Sequence, residues 1–492
     1  MSIRIVWLVL VTLATASSTL AELSDRQLRT LDGITRDRFT GRWVDLGTNE
    51  LKALRTRADA YVGQFREHHL VGNQVVSLRY TDTNRTTLDS YEALEDSAAW
   101  TGLAMAMHAY RYAVTRDNRD LVGENPSLPA IRTLLDGIEA QLQASGRPGY
   151  LARFTGRAAD GAYKKFYSNY GGLDPARPGF GKLAFAGGTN APNTVWLGGP
   201  SRDQYAALNL GFATVWKLVR NDARIRQRIA TNITLILDRI EADQGRLDDG
   251  HGHLTFVTPA LAAALFRTGA TVNPDRFGKA YELHAREFLD LPAAGMVRYG
   301  DSRPGLFVAF NLLSLVRMEA DKSARQLVYQ DRLSQLWRNS SAQLNPQLAI
   351  CYMGSLERTP NDPSALATIQ GILSQYPEPP RWASTGMTST NAATPLVEVG
   401  GVKWTRFAQL LDRRPVAPFQ WSQSPYLISG GESAPVVHPG LDFLLAFWMS
   451  RDAGVIPSED APPPIATFTP RKSSSRTNSP AATNRVSQPK KP

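Results

Sequence analysis

The chain has 492 residues, 42% of them hydrophobic, a formal net charge of +10 and one cysteine, Cys351. That length is enough for a large core, and a lone cysteine excludes an internal disulfide, so stability has to come from packing. Six basic residues (Arg471, Lys472, Arg476, Arg485, Lys490 and Lys491) and no acidic ones lie within 461–492, so the charge argues against nucleic-acid binding by the folded part.

Arg4, an apolar run over 5–14 and Thr19-Leu20-Ala21 have the order of a cleavable signal peptide, predicted here as 1–21. The run is too short, and too rich in Thr and Ser toward its end, for a stable membrane span. A secreted or periplasmic location is therefore expected. Residues 22–44 read as a lead-in, 45–456 as one helical domain and 457–492 as a disordered Pro/Ser/basic tail that either stays solvated or contacts an acidic surface.

Two kinds of helical pattern alternate through the domain. Residues 49–70, 127–144, 222–243, 274–289, 322–344 and 363–376 are amphipathic, with charges on one face. Between them, 98–114, 205–218, 254–266, 305–316, a short 346–356 and 441–449 are more apolar and predict surrounded helices. Asn273-Pro274 and Asp362-Pro363 place a capping side chain before a proline at the first helical position. Six wet helices alternating with six dry ones predict an all-α (α/α)6 toroid, with the dry set inside. An irregular helical domain or an open solenoid is the alternative. The links over 146–199 and 377–439 are long enough to hold binding loops or short strands; 149–154 and 163–167 are read as strands or a lid.

Tyr150-Leu-Ala-Arg153, Asp160-Gly161, Tyr167-Ser168, Ser201-Arg-Asp-Gln-Tyr205 and Pro439-Gly-Leu-Asp442 with the apolar helix that follows resemble the six-hairpin glycosidase-like toroids of bacterial secreted carbohydrate enzymes. The resemblance implies a carbohydrate-binding cleft at the N-terminal ends of the inner helices. No catalytic signature of any one member family is matched, so no catalytic assignment is carried over.

The residues point to the same end of the helices. Glu95-Asp96, Arg202-Asp203-Gln204, Asp248-Asp249-Gly250-His251-Gly252-His253, Asp301-Ser302-Arg303 and His438 all precede apolar helices, and parallel inner helices would gather them on one face. Helix N-termini there would offer free N–H groups to substrate hydroxyls and carboxylates. Simple capping accounts equally for single acids at helix starts.

Glycoside hydrolysis by the common route needs two carboxyl groups. Asp203 is the first candidate and Asp96 the second. Arg202 and the helix dipole favour a base or electrostatic role for Asp203 unless burial outweighs them. His251 is a possible base. Trp196, Tyr205 and Trp421 offer ring faces, while Arg153, Arg202 and Arg303 could clamp a uronate. Gln204, Tyr167, His253, Asp301 and His438 complete the expected substrate contacts. No cofactor is expected, and two His one residue apart lack a third metal ligand. The runner-up is a polysaccharide lyase using Tyr167, Tyr205 or His251 as base with Asn169 or an arginine. A non-catalytic glycan-binding or envelope scaffold, in which Trp196, Trp382, Trp421 and Tyr426 stack on sugars, is the third reading.

Overall fold

The structure is a computed structural model and describes residues 46–116, 124–167, 183–189, 191–291, 302–356, 362–383, 396–399, 402–405, 408–409, 411, 414–428 and 435–458. The expected signal peptide, most of the tail, Asn169 and Asp301 lie outside the described residues. The described chain is largely helical.

The amphipathic set comprises α1 (Thr48–His68), α3 (Ser127–Gln143), α6 (Ala223–Ala242), α8 (Pro274–Leu289), α10 (Ala324–Ser340) and α12 (Pro363–Ser374). The apolar set comprises α2 (Ser97–Thr115), α5 (Arg202–Leu218), α7 (Pro259–Val272), α9 (Ser302–Met318), α11 (Pro346–Met353) and α13 (Leu441–Asp452). A short α4 (Gly161–Tyr167) lies in the first long link. It occupies residues expected to form a strand or lid; the Asp160 side chain accepts the N–H groups of Ala162 and Tyr163 at 3.0 and 3.2 Å, which starts a helix there.

Predicted and observed bounds agree to within a few residues except for α7. Residues Leu254–Phe256 form a strand instead, and the helix begins at Pro259 behind Thr258, whose hydroxyl accepts from Leu261 N–H. The alternation Leu-Thr-Phe-Val before a Thr-Pro start is a strand pattern followed by a cap. Asn273, Asp362, Asn345, Asp222 and Ser323 likewise cap their helices with side-chain acceptors.

The apolar helices touch in cyclic order. α2 contacts α5, α5 contacts α7, and so on through α9 and α11 to α13, which contacts α2. α5 also meets α9 directly, so the middle is filled rather than hollow. Each amphipathic helix packs against one or more apolar ones, burying one face: α3 on α2, α6 on α5 and α7, α8 on α7, α10 on α9 and α11, α12 on α11 and α13, α1 on α13. Approach is closest between α2 and α5. A Cβ on Gly102 would lie 2.5 Å from Leu208 Cα, and one on Gly211 would lie 2.4 Å from Gly102 O. Only hydrogen fits at these two positions.

Among the described residues, fourteen short strands lie between the helices. Those of the first hairpin are β1 (Leu70–Val71), β2 (Gln74–Val75), β3 (Ser77–Tyr80) and β4 (Leu88–Glu92). The 146–199 link holds β5 (Phe154–Arg157), β6 (Ala184–Ala186) and β7 (Thr194–Leu197), and β8 (Arg246–Asp248) pairs with β9 (Leu254–Phe256). The last link holds β10 (Arg381–Trp382), β11 (Leu396–Val399), β12 (Val402–Thr405), β13 (Leu427–Ile428) and β14 (Val436–His438). All pairings are antiparallel, with sheet orders β10-β14-β3-β4, β5-β7-β6 and β11-β12-β13. No helix of the described residues is long and apolar enough to cross a membrane.

Candidate functional site

Three apolar helices present their N-terminal ends to one another. Arg303, the second residue of α9, donates from Nε to Asp203 Oδ2 at 2.9 Å and from Nη2 to Asp96 Oδ1 at 2.8 Å. Asp203 sits in the first turn of α5 and Asp96 immediately before α2. Because α2 and α9 both pack along the length of α5, contact between their starts means that the three run in the same direction there. The side chains of Arg303, Asp96 and Asp203 keep 39%, 16% and 30% of their surface accessible, so the group can be reached by a ligand.

Capping does not account for these acids. Asp96 occupies the N-cap position of α2 yet its side chain makes no capping hydrogen bond, and Asp203 lies inside the helix, after Ser201. Both carboxylates turn to the guanidinium instead. Burial raises the Asp203 pKa above the ordinary carboxylate value, opposed by the charge and hydrogen bond of Arg303, with Asp96 pushing in the same direction as burial. The conflict foreseen in the sequence is thus resolved toward burial. A carboxyl with a raised pKa suits a proton donor better than a base.

The sequence places Glu95 in the same cluster as Asp96 without giving it a role of its own. Its carboxyl is pushed up mainly by burial and further by Asp96, and Glu95 Oε2 has no hydrogen-bond partner. Adjacency to Asp96 was the available signal; the sequence does not show which of two neighbouring acids turns inward.

Several expected substrate contacts are struts. Arg153 donates to Gly199 O at 2.5 Å and Glu95 O at 2.9 Å, joining the segments that lead into α5 and α2, and its own carbonyl accepts Ala98 N–H at 3.0 Å. Gln204 is buried and donates to Glu95 O at 2.6 Å. Tyr205 is buried with its hydroxyl on Leu151 N–H at 3.0 Å, and burial drives its pKa well up, so it is no base for a lyase. Trp196 is buried with Nε1 on Ala186 O at 2.9 Å; Trp421 is buried with Nε1 on Asp442 O at 2.7 Å. Neither presents a ring to a sugar. Trp421 also receives Asn345 Nδ2 on its carbonyl at 3.0 Å, and Trp100 of α2 stacks on Phe419 at 5.2 Å. The 419–422 segment therefore covers the N-terminal ends of α11 and α13. His438 is a buried strand residue, hydrogen-bonded to Ser77 Oγ at 2.9 Å, with its pKa lowered by burial to about 3.

The Asp248–His253 cluster is a hairpin turn between β8 and β9 rather than a helix start. Asp249 accepts Gly199 N–H at 3.0 Å, His251 N–H at 2.8 Å and His253 Nδ1 at 2.7 Å. Burial alone would raise the Asp249 carboxyl; these donors hold it below the usual range. His253 is engaged by that acid, and His251 is exposed, its ring stacked on Phe185 at 3.8 Å. Through Gly199 and Arg153 the turn is tied to the same end of α5. Arg202 is exposed at the start of α5; Tyr167 ends α4. Tyr426 is buried and Trp382 half-buried. Among the described residues no three His, Cys, Asp or Glu side chains gather as a metal site would require.

Compared with protein-family models and with curated proteins, the sequence matches none.

Proposed function

We propose that the chain is an exported (α/α)6 toroid, six outer and six inner helices, that hydrolyses glycosidic bonds in an oligosaccharide or uronate-containing glycan. The cyclic contacts of the apolar helices support the ring. The observation that carries the chemistry is the Asp96–Arg303–Asp203 bridge, which holds two accessible carboxyls together beside three helix N-termini. Asp203, with its raised pKa, is the proton donor; Asp96, the second carboxyl of the bridge, is left as the base that activates water or the nucleophile that attacks carbon. Arg303 holds their spacing and is displaced or shared when a glycan enters.

A second reading has one observation in its favour. Arg303 pairs with both acids, as in the structural ion cluster of a non-catalytic scaffold, although the burial of Trp196, Trp421 and Tyr426 removes ring platforms on which a glycan-binding scaffold would rely. The test is reducing-end release from a panel of neutral and uronate-containing polysaccharides, with absorbance of unsaturated uronates read in parallel. Asp203→Asn and Asp96→Asn should each lower hydrolysis by roughly 100-fold or more while binding persists. Unsaturated products that survive both substitutions would mean elimination, and no cleavage of any glycan would leave the scaffold.

A further inference from the structure

A concave site lies at the other end of the same helices. A cavity of about 340 Å³ opens between the last turns of α5, α7 and α9 and the first turn of α6. Asp203 and Trp216 are thirteen residues apart on α5, which places the cavity roughly 20 Å from the acidic bridge at 1.5 Å per residue. Its wall carries four cations, Lys217, Arg220, Arg226 and Arg317, and one acid, Glu319.

That acid is already engaged, by the Tyr281 hydroxyl and by Arg267 at 3.3 Å. Two of the four cations have long ion pairs with acids outside the wall, and Arg220 and Arg226 have no acid partner among the described residues. Lys217 reaches only the exposed Asp321, at 3.6 Å, and Arg317 has Asp452 at 4.0 Å. Arg317 Nε is buried with no hydrogen-bond partner.

Basic residues often end helices because they satisfy the last carbonyls. Here that accounts for little of the donor capacity. Arg220 gives one N–H to Lys217 O at 3.0 Å and Arg226 gives one to Trp216 O at 2.9 Å while lying flat on the Trp216 ring at 3.6 Å. Each guanidinium has five N–H groups. Arg226 carries a lowered pKa, from burial first and then from Arg220, as expected where positive charge is crowded without a counterion.

We propose that this cavity binds a sugar-sized ligand carrying a tetrahedral oxyanion, a phosphate or sulfate monoester. Guanidinium groups match such oxyanions with paired donors, and the excess of cations suits a multiply charged group over a single carboxylate. The volume exceeds that of a bare inorganic ion and lies at the small end of ligand pockets. The site is independent of the hydrolytic reading, because none of its residues belongs to the bridge.

Isothermal titration of the full chain at low ionic strength, with glucose 6-phosphate, glucose 6-sulfate and glucuronate, tests it. One of the two esters should bind saturably and more tightly than glucuronate; which one identifies the oxyanion. Lys217→Gln and Arg220→Gln, both on partly or fully exposed side chains, should each weaken that ester roughly tenfold, the loss of one charge-assisted contact, with the thermal midpoint unchanged. Hydrolytic activity, if present, should be the same in both variants. Absence of saturable binding by either ester, equal affinity for glucuronate, or unchanged affinity in the variants would overturn the proposal.

Discussion

Replacing Arg303 by methionine isolates the central ion cluster. The substitution keeps an unbranched side chain at the start of α9 and removes two charge-assisted hydrogen bonds, to Asp203 and Asp96. Each such bond contributes about 1.5–3 kcal/mol when shielded, and exposure of all three side chains lowers that to about 1 kcal/mol apiece, so the expected loss is about 2 kcal/mol at neutral pH. For a domain of this size that corresponds to a fall in Tm of only a few degrees, about 2–5 °C. The pH dependence is the sharper measurement. Burial has already raised the Asp203 pKa, and without Arg303 burial and Asp96 raise it further, opposed only by the smaller effect of the Arg202 charge. A carboxyl with a folded pKa above its unfolded value favours the fold at low pH and loses that advantage as pH rises through the folded pKa. The variant carries the larger shift, so its deficit relative to the parent grows as pH rises through the carboxylate range toward 7 and shrinks as the acids protonate. Differential scanning calorimetry of both proteins from pH 3.5 to 7.5 reads this directly. A deficit that stays constant over that range would refute the assignment of Arg303 as the counterion of two ionisable acids.

Other consequences are equally open to measurement. Gly102→Ala should destabilise by about 1–3 kcal/mol in urea unfolding, because the new methyl would meet the Leu208 backbone and α2 and α5 would have to separate. Asp362→Ala should cost about 0.5–2 kcal/mol, since Asp362 accepts from Ser364 and Ala365 N–H at the start of α12, and Asp362→Asn should recover most of it. The Cys351 thiol, pushed up to about 12 by burial, should stay inert to a thiol reagent at pH 8 until the protein unfolds. His69, His108 and His438 have pKa values lowered by burial to about 4, 3 and 3. Depressed histidines favour the fold above their unfolded pKa of about 6.5, and that contribution is lost as pH falls toward the folded values. Stability should therefore decline from pH 6.5 to 4, and the three imidazole resonances should not titrate above pH 5.

The helices were largely legible in the sequence because each carries its own period and cap. The 274–289 segment, opened by Asn273-Pro274 and apolar on one face, has the same bounds in the structure. Where two patterns run together the reading failed: Leu254–Phe256 is apolar enough to extend a helix, yet it pairs with Arg246–Asp248. Asp96, Asp203 and Arg303 were each identified as chemistry-bearing side chains at helix starts, and all three meet. Their partnership was not legible, because pairing across 100 and 207 residues of chain depends on which way each helix is rotated. The aromatics misled for a related reason. Trp196, Tyr205 and Trp421 each have a flat apolar body and one polar atom, a combination that suits a sugar platform or a buried strut; the hydrogen bonds to Ala186, Leu151 and Asp442 decide for the strut.

Contact between α13 and both α1 and α2 joins the last described helix to the first two. Linear stacks of helical repeats can lose a terminal unit and keep the remainder folded, since each unit leans only on its neighbours. A helical domain whose first and last described helices pack together has no dispensable end unit among them. Synthesis halted before residue 441 would leave the flank of α2 bare, so the nascent polypeptide has to be released nearly whole before its interior can be sealed from water.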